Sequence, residues 1–202
     1  MMKMRVIAGT YRSRLLSAPR GMRTRPTSDR LRETLFNILS PRLDGCRFVD
    51  LYAGTGAVGI EALSRGAEHV WFAENAGSAL ESLRQNLSAL KISRGFTLVD
   101  RGVGAMLQSL GKLPQPVDLV FLDPPYEAEE EYAGTLNFFG SVRGRTVLAP
   151  HALVIAEHSS KVRLAAHYGA LEHTRLVKQG DAALSFFGFP AVEQSLHPDV
   201  AR

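Results

Sequence analysis

Hydrophobic positions along this chain recur at two alternating periods, short continuous apolar runs of strand type and longer stretches with apolar residues every three or four positions. From Arg47 onward the two take turns. Residues 48–51 read as a strand, followed by a glycine-rich loop and a helix to about Arg65, with Gly66 as its stop. Residues 69–73 form a second strand ending at Glu74, and Leu80, Leu83, Leu87 and Leu90 mark one face of the next helix. Residues 96–99 form a third strand, and a short helix runs over about 105–110. The apolar run 117–122 is a fourth strand that must stop at Asp123, because Pro124 and Pro125 cannot donate to a sheet ladder. A helix is expected over 129–139 and a fifth strand over 153–156, ending at Glu157-His158. Residues 171–178 and 182–189 flank Gln179-Gly180-Asp181, a hairpin turn.

Ahead of Arg47 the pattern is different. Residues 4–8 and 14–16 are short strand-like runs that can pair as a small hairpin, and residues 17–25 form a Pro/Gly/Arg loop. Pro26-Thr27-Ser28-Asp29 then supplies helix-start residues, with Leu31, Leu35, Ile38 and Leu39 on one face and Arg30, Arg32 and Glu33 on the other, up to Ser40-Pro41. The alternation implies an α/β fold with a mainly parallel seven-stranded sheet, helices on both faces and an antiparallel C-terminal hairpin, preceded by a small hairpin and helix extension. Three segments follow: a basic N-terminal extension over 1–46, an α/β domain over 47–190, and a tail over 191–202.

A chain of 202 residues, 45% hydrophobic, is long enough for one sizeable core. Its single cysteine, Cys46, allows no intramolecular disulfide, which suits a reducing compartment. With no signal-peptide core near the start and no run of membrane-spanning length, a soluble, cytoplasmic protein without a membrane partner is expected. Charge changes the picture more. Residues 1–47 hold 11 Lys/Arg against Asp29, Glu33 and Asp44, a net of +8, whereas the rest holds 13 bases and 17 acids, a net of −4. An arginine-dominated arm on a mildly acidic body fits a polyanionic partner, so the extension is expected to bind RNA.

Two motifs carry chemistry. Gly54, Gly56 and Gly59 satisfy G-x-G-x-x-G between a strand and a helix, with Glu74 at the end of the next strand. Glycines there let backbone approach a ligand closely, and the acid can accept hydrogen bonds from ribose hydroxyls. Alone, the fingerprint fits NAD as well as S-adenosylmethionine. Asp50, at the strand end before the loop, favours a cationic amino group over a pyrophosphate. The second motif, Asp123-Pro124-Pro125-Tyr126, sets an acceptor carboxylate, a free carbonyl and an aromatic face at a strand's carboxyl end, where open α/β sheets bind ligands. It resembles the motif of S-adenosylmethionine-dependent methyltransferases that modify exocyclic amines of nucleobases, and a dehydrogenase has no evident use for it.

Together with the block Arg25-Pro26-Thr27-Ser28-Asp29-Arg30-Leu31-Arg32-Glu33-Thr34-Leu35-Phe36, these motifs resemble the bacterial 16S ribosomal RNA guanine-N2 methyltransferase (RsmD-type) family, over about residues 4–189. The resemblance implies a Rossmann-like methyltransferase fold, S-adenosylmethionine as cofactor and 16S rRNA or the small ribosomal subunit as partner. The expected cofactor contacts are Asp50, Tyr52, Ala53, Gly54, Gly56, Glu74, Asn75, Gly102, Val103 and Asp123. Asp123, Pro124 and Tyr126 are expected to hold the guanine amine, and Arg12, Arg14, Arg23, Arg25 and Arg30 to bind RNA. One position departs from the family: Val103 stands near where an Asp usually contacts the adenine amino group, leaving that contact to backbone groups or to Asp100.

A guanine amine is a poor nucleophile because its lone pair is delocalised into the ring. Hydrogen bonds to Asp123 and the Pro124 carbonyl would aim that lone pair, with Tyr126 stacked on the base, so alignment is the main catalytic contribution. Competing readings are an adenine-N6 DNA methyltransferase, a protein-glutamine methyltransferase, and a nucleotide- or RNA-binding module without catalysis. The six histidines show no ligand spacing, so no metal is expected, and a monomer is the expected state.

Overall fold

The protein, seen in a computed structural model, is described over residues 4–18, 28–125 and 129–190. Five strands form the parallel part of one sheet: β1 (Arg47–Leu51), β2 (His69–Ala73), β3 (Phe96–Val99), β4 (Val117–Leu122) and β5 (Leu148–Ser159). Three more close it: β6 (His167–Tyr168), β7 (Leu171–Gln179) and β8 (Ala182–Gly188). The order is β3-β2-β1-β4-β5-β8-β7-β6, parallel up to β5 and antiparallel from β8 onward. The sheet thus has eight strands where seven were expected. β6 is the addition, and its two residues are too short to leave a periodic trace. Gly180, at φ 62, sits in the two-residue turn between β7 and β8, where a positive φ suits the twist of a tight hairpin.

Helices α1 (Asp29–Leu39), α2 (Ala57–Ser64) and α3 (Gly77–Ala89) and α4 (Gly102–Leu110), α5 (Glu129–Gly140) and α6 (Val142–Val147) cover opposite faces. Because side chains alternate along a strand, Phe48, Phe72, Phe121 and Ile155 pack under α1–α3, while Val49, Val120, Val154 and Ala156 pack under α4–α6. α6 follows α5 after one residue, Ser141, whose hydroxyl caps it by accepting the Gly144 N–H at 3.1 Å. β5 begins five residues earlier than expected. Between its pairings Val117↔Leu148 and Leu119↔Leu153 the ladder is interrupted around Pro150, which masked the strand in the sequence.

The N-terminal arm is hairpin-like. Val6 N–H donates to Arg14 O and Leu16 N–H to Met4 O, each at 2.9 Å, but only one bridge, Arg5↔Leu15, is regular. The arm is fastened to α2 through its backbone. Glu61, fully buried, accepts the N–H groups of Ile7 at 2.7 Å and Ala8 at 3.0 Å; Ser64 Oγ donates to Ala8 O at 2.5 Å and accepts the Tyr11 N–H at 2.9 Å. Gly9, at φ 82, lies so close that an added Cβ would fall 1.8 Å from Ser64 O. Arg32 corrects the reading of α1. Expected on the open face, it is fully buried, because position 32 shares a side with Phe36 and Leu39, four and seven residues on. Its guanidinium donates to Arg5 O and to Asp29 Oδ1 at 3.0 Å, and burial holds its pKa below the usual arginine value. The loop over 19–27 and the tail over 191–202 lie outside the described residues.

Candidate active site

The carboxyl ends of β1, β2, β4 and β5 bring four acids to one edge of the sheet: Asp50, Glu74, Asp123 and Glu157. Register sets them on one face. Asp50 pairs with Phe72 and Phe121, two residues before Glu74 and Asp123, and Leu122↔Ala156 makes Glu157 the neighbour of Asp123. Asp50, Glu74 and Glu157 are buried, whereas Asp123 is partly exposed. Among the described residues no three His, Cys, Asp or Glu are grouped so that they could hold a metal ion.

Between β1 and α2 runs the glycine loop. Tyr52 takes a left-handed φ of 62, uncommon for a residue with a side chain, and its hydroxyl donates to Glu131 of α5 at 2.5 Å. Ala53 N–H donates to Ala73 O at 2.9 Å, which ties the loop to β2. Gly54 and Gly56 have φ of 57 and 79. Above Gly54 the space is open: an added Cβ would meet only Tyr52 O, at 4.0 Å, so a ligand can approach the backbone there. At Gly56 the same atom would strike Leu83 of α3 at 2.2 Å, and at Gly59 the ring of Phe72 at 2.2 Å, so these two glycines serve close packing.

Asp50 and Glu74 are both engaged by backbone N–H groups of the loop and its flanks. Asp50 accepts the Gly59 N–H of the first turn of α2 at 2.8 Å, and its burial pushes its pKa up to about 7, with the Gly59 bond opposing and Glu74 adding to the rise. Glu74 accepts Gly54 N–H at 2.8 Å on one oxygen and Asn75 and Ala76 N–H at 2.9 and 2.7 Å on the other. One Glu74 oxygen therefore keeps acceptor capacity for a hydroxyl. Gly102, at φ 77, opens α4 against Asn75, whose side-chain nitrogen lies 3.0 Å from where a Cβ would be. Val103 follows in the same turn, half-buried, and Asp100 is paired with Arg84 at 3.2 Å on the surface.

Asp123 leaves β4 beside buried Pro124. Its pKa is raised well above the carboxylate value, first by desolvation and then by the neighbouring charges of Glu157 and Asp50. Tyr126 lies outside the described residues, as do Arg23 and Arg25. Arg12 and Arg30 are exposed and line, with Arg5 and Arg65, a cleft of about 580 Å³ between arm and α1 that also holds Asp29 and Glu33. Arg14 lies on the other side of the hairpin and reaches Ala89 O of α3 at 3.3 Å. Glu157 reads in the sequence only as a strand end, and the signal that marks it is position: one acid at the carboxyl edge of the strand next to Asp123.

A sheet in this order, with a glycine loop after β1 and an acid at the end of β2, has the Rossmann-like methyltransferase fold. The family described as Conserved hypothetical protein 95, the RsmD family, matches residues 4–188, and the chain belongs to it. It is 34% identical over 184 residues to the "Putative rRNA methyltransferase YlbH" of Bacillus subtilis, covering 91% of this chain and 98% of that protein. It is 40% identical over 129 residues to "Ribosomal RNA small subunit methyltransferase D" of Haemophilus influenzae, covering 61% of this chain and 64% of that one. Among solved structures it resembles "Putative methyltransferase yhhF from Escherichia coli", with TM-score 0.77, 29% identity, and coverage of 94% of this chain and 99% of that chain.

Proposed function

We propose that this protein transfers the methyl group of S-adenosylmethionine to the exocyclic N2 amine of a specific guanine in 16S rRNA, acting as a cytoplasmic monomer on the rRNA or the small ribosomal subunit. The observation that carries the reading is the placement of Asp123. It stands at the carboxyl end of β4, next to β1 and its glycine loop, and is the partly exposed member of the acid group. Relatives named as rRNA methyltransferases support the substrate, and among the described residues no helix is long and apolar enough to cross a membrane.

The open backbone of Gly54 and the spare acceptor of Glu74 fit a ribose, and the Asn75–Gly102 contact would flank the adenine side of the same ligand. Asp50, deep behind the loop, would act on the amino group mainly by shaping α2 and supplying a carboxyl of adjustable charge. When bound, the cofactor supplies an activated methyl group whose carbon–sulfur bond breaks as the nitrogen–carbon bond forms. Asp123 and the Pro124 carbonyl would accept the two amine hydrogens and so aim the nitrogen lone pair, with Tyr126 stacked on the base. The nitrogen then releases one proton, for which Asp123 is the acceptor at hand. A guanine must leave its stack to reach this edge. The extension over 1–46, with Arg12, Arg14, Arg23, Arg25 and Arg30, would hold the surrounding RNA.

Labelled methyl transfer to undermethylated small subunits, compared with duplex DNA and with a glutamine-bearing protein substrate, tests the reading. Incorporation into the subunit RNA alone is expected; preference for either other substrate would overturn it.

A further inference from the structure

Asn86 lies on α3 and is buried, and its side-chain hydrogen bonds go to neither Asp123 nor the acids around it. All its side-chain polar groups are used, and they join two distant parts of the chain. Its Oδ1 accepts the Ser17 N–H at 2.7 Å, and its Nδ2 donates to Ser17 O at 3.0 Å and to Thr55 O at 2.9 Å. Thr55 is the middle residue of the glycine loop, and Ser17 is where the arm's second segment ends, just before the arginine-rich 19–27 stretch. A second contact repeats the link: Met4, on the arm's first segment, lies with its sulfur 3.8 Å from Thr55 Oγ1. α3 also supplies Leu83, which fills the space beside Gly56. The glycine loop is thus packed from behind by α3, whose Asn86 also holds the arm, while Glu61 and Ser64 fasten the hairpin to the helix that the loop begins.

We propose that Asn86 is a positioning residue through which the cofactor loop and the substrate arm set one another's geometry, so that cofactor and RNA bind with positive coupling. A bound ligand on the loop fixes Thr55 O, which fixes the Asn86 amide, which fixes both backbone groups of Ser17. The reverse path is the same. Reciprocity is a thermodynamic requirement: whatever factor RNA adds to cofactor affinity, cofactor adds to RNA affinity. The RNA half rests on the substrate reading above, and the loop-to-arm half does not.

Two measurements keep these halves apart. In hydrogen exchange with S-adenosylhomocysteine as the probe, the amide of Ser17 and the arm around it should exchange about tenfold more slowly on binding in the wild type and show no such slowing in Asn86→Ala. Asn86→Asp, which keeps the acceptor for Ser17 N–H and loses the donor to both Ser17 O and Thr55 O, should also lose the response while remaining folded. Calorimetric titration of the same probe with and without a 16S rRNA fragment should show several-fold tighter binding with RNA in the wild type and none in either variant. Arm exchange that ignores the probe in the wild type, or responds equally in the variants, overturns the coupling. A probe response without any RNA binding would leave the joint standing and overturn the RNA reading instead.

Discussion

The Asp50 carboxylate accepts the Gly59 N–H at 2.8 Å from a fully buried position. It therefore orients the first turn of α2 at a cost, since burial holds its carboxyl neutral up to about pH 7 against an ordinary value of 3.8. In the unfolded chain the group ionises near pH 4, so the folded state retains a proton that the unfolded state has released. Its contribution to stability is present at low pH and is lost as pH rises through about 7, at about 1.4 kcal/mol per pH unit. Asn can still accept from Gly59 and has no charge to desolvate. Asp50→Asn should stabilise the cofactor-free protein increasingly from pH 4 to 7, by up to a few kcal/mol, in denaturant melts run across that range.

Glu74 is engaged on both oxygens, with three backbone N–H donors on one carboxyl group. Glu74→Ala should leave the sheet intact but weaken S-adenosylmethionine binding tens-fold, the loss of about 1.5–3 kcal/mol expected for hydrogen bonds to a charged group. Calorimetric titration checks it, and unchanged affinity would remove Glu74 from the cofactor site.

How Asp123 titrates sets the pH dependence of transfer. Its carboxyl is raised by desolvation at the sheet edge and then by Glu157 and Asp50, so it becomes an acceptor only as pH climbs well past the ordinary carboxylate range, and single-turnover rates should rise with pH accordingly. Glu157→Gln removes one of those negative neighbours and should move the acid limb of the profile to lower pH, leaving cofactor affinity near wild type. Coincident profiles would mean that Glu157 has no part in the site.

Much of this arrangement was legible. The strands over Phe96–Val99 and Val117–Leu122 end where the sequence places them, because their apolar runs are bounded by turn residues. Asp123, Glu74 and the glycine loop fall at one sheet edge for the same reason. What escaped was held by partners far along the chain. Arg32 reads as surface until Arg5 O folds over it, and Asn86 reads as an ordinary helix residue until Ser17, 69 positions away, reaches it. β6 and α6 are too short for periodicity to mark.

In the proposed function the arm is the substrate grip. It carries +8 over residues 1–47 against −4 for the remainder, and Arg12 and Arg14 are exposed on its hairpin. Replacing Arg12, Arg14, Arg23 and Arg25 with Gln should remove most RNA affinity and flatten the log–log salt dependence by roughly 3, as four lost phosphate contacts would. Cofactor affinity measured without RNA should hardly move. An unchanged salt slope would place the RNA elsewhere.

In the proposed function Asp123 directs a methyl group onto a guanine amine of the small-subunit RNA. The most direct test is single-turnover transfer to undermethylated small subunits, followed by nucleoside analysis of the RNA, for wild type and Asp123→Ala side by side. N2-methylguanosine is expected from the wild type, and from the variant a rate lower by orders of magnitude with cofactor affinity preserved. Transfer by Asp123→Ala within a few-fold of wild type, or a methyl group found on any other atom, would contradict it.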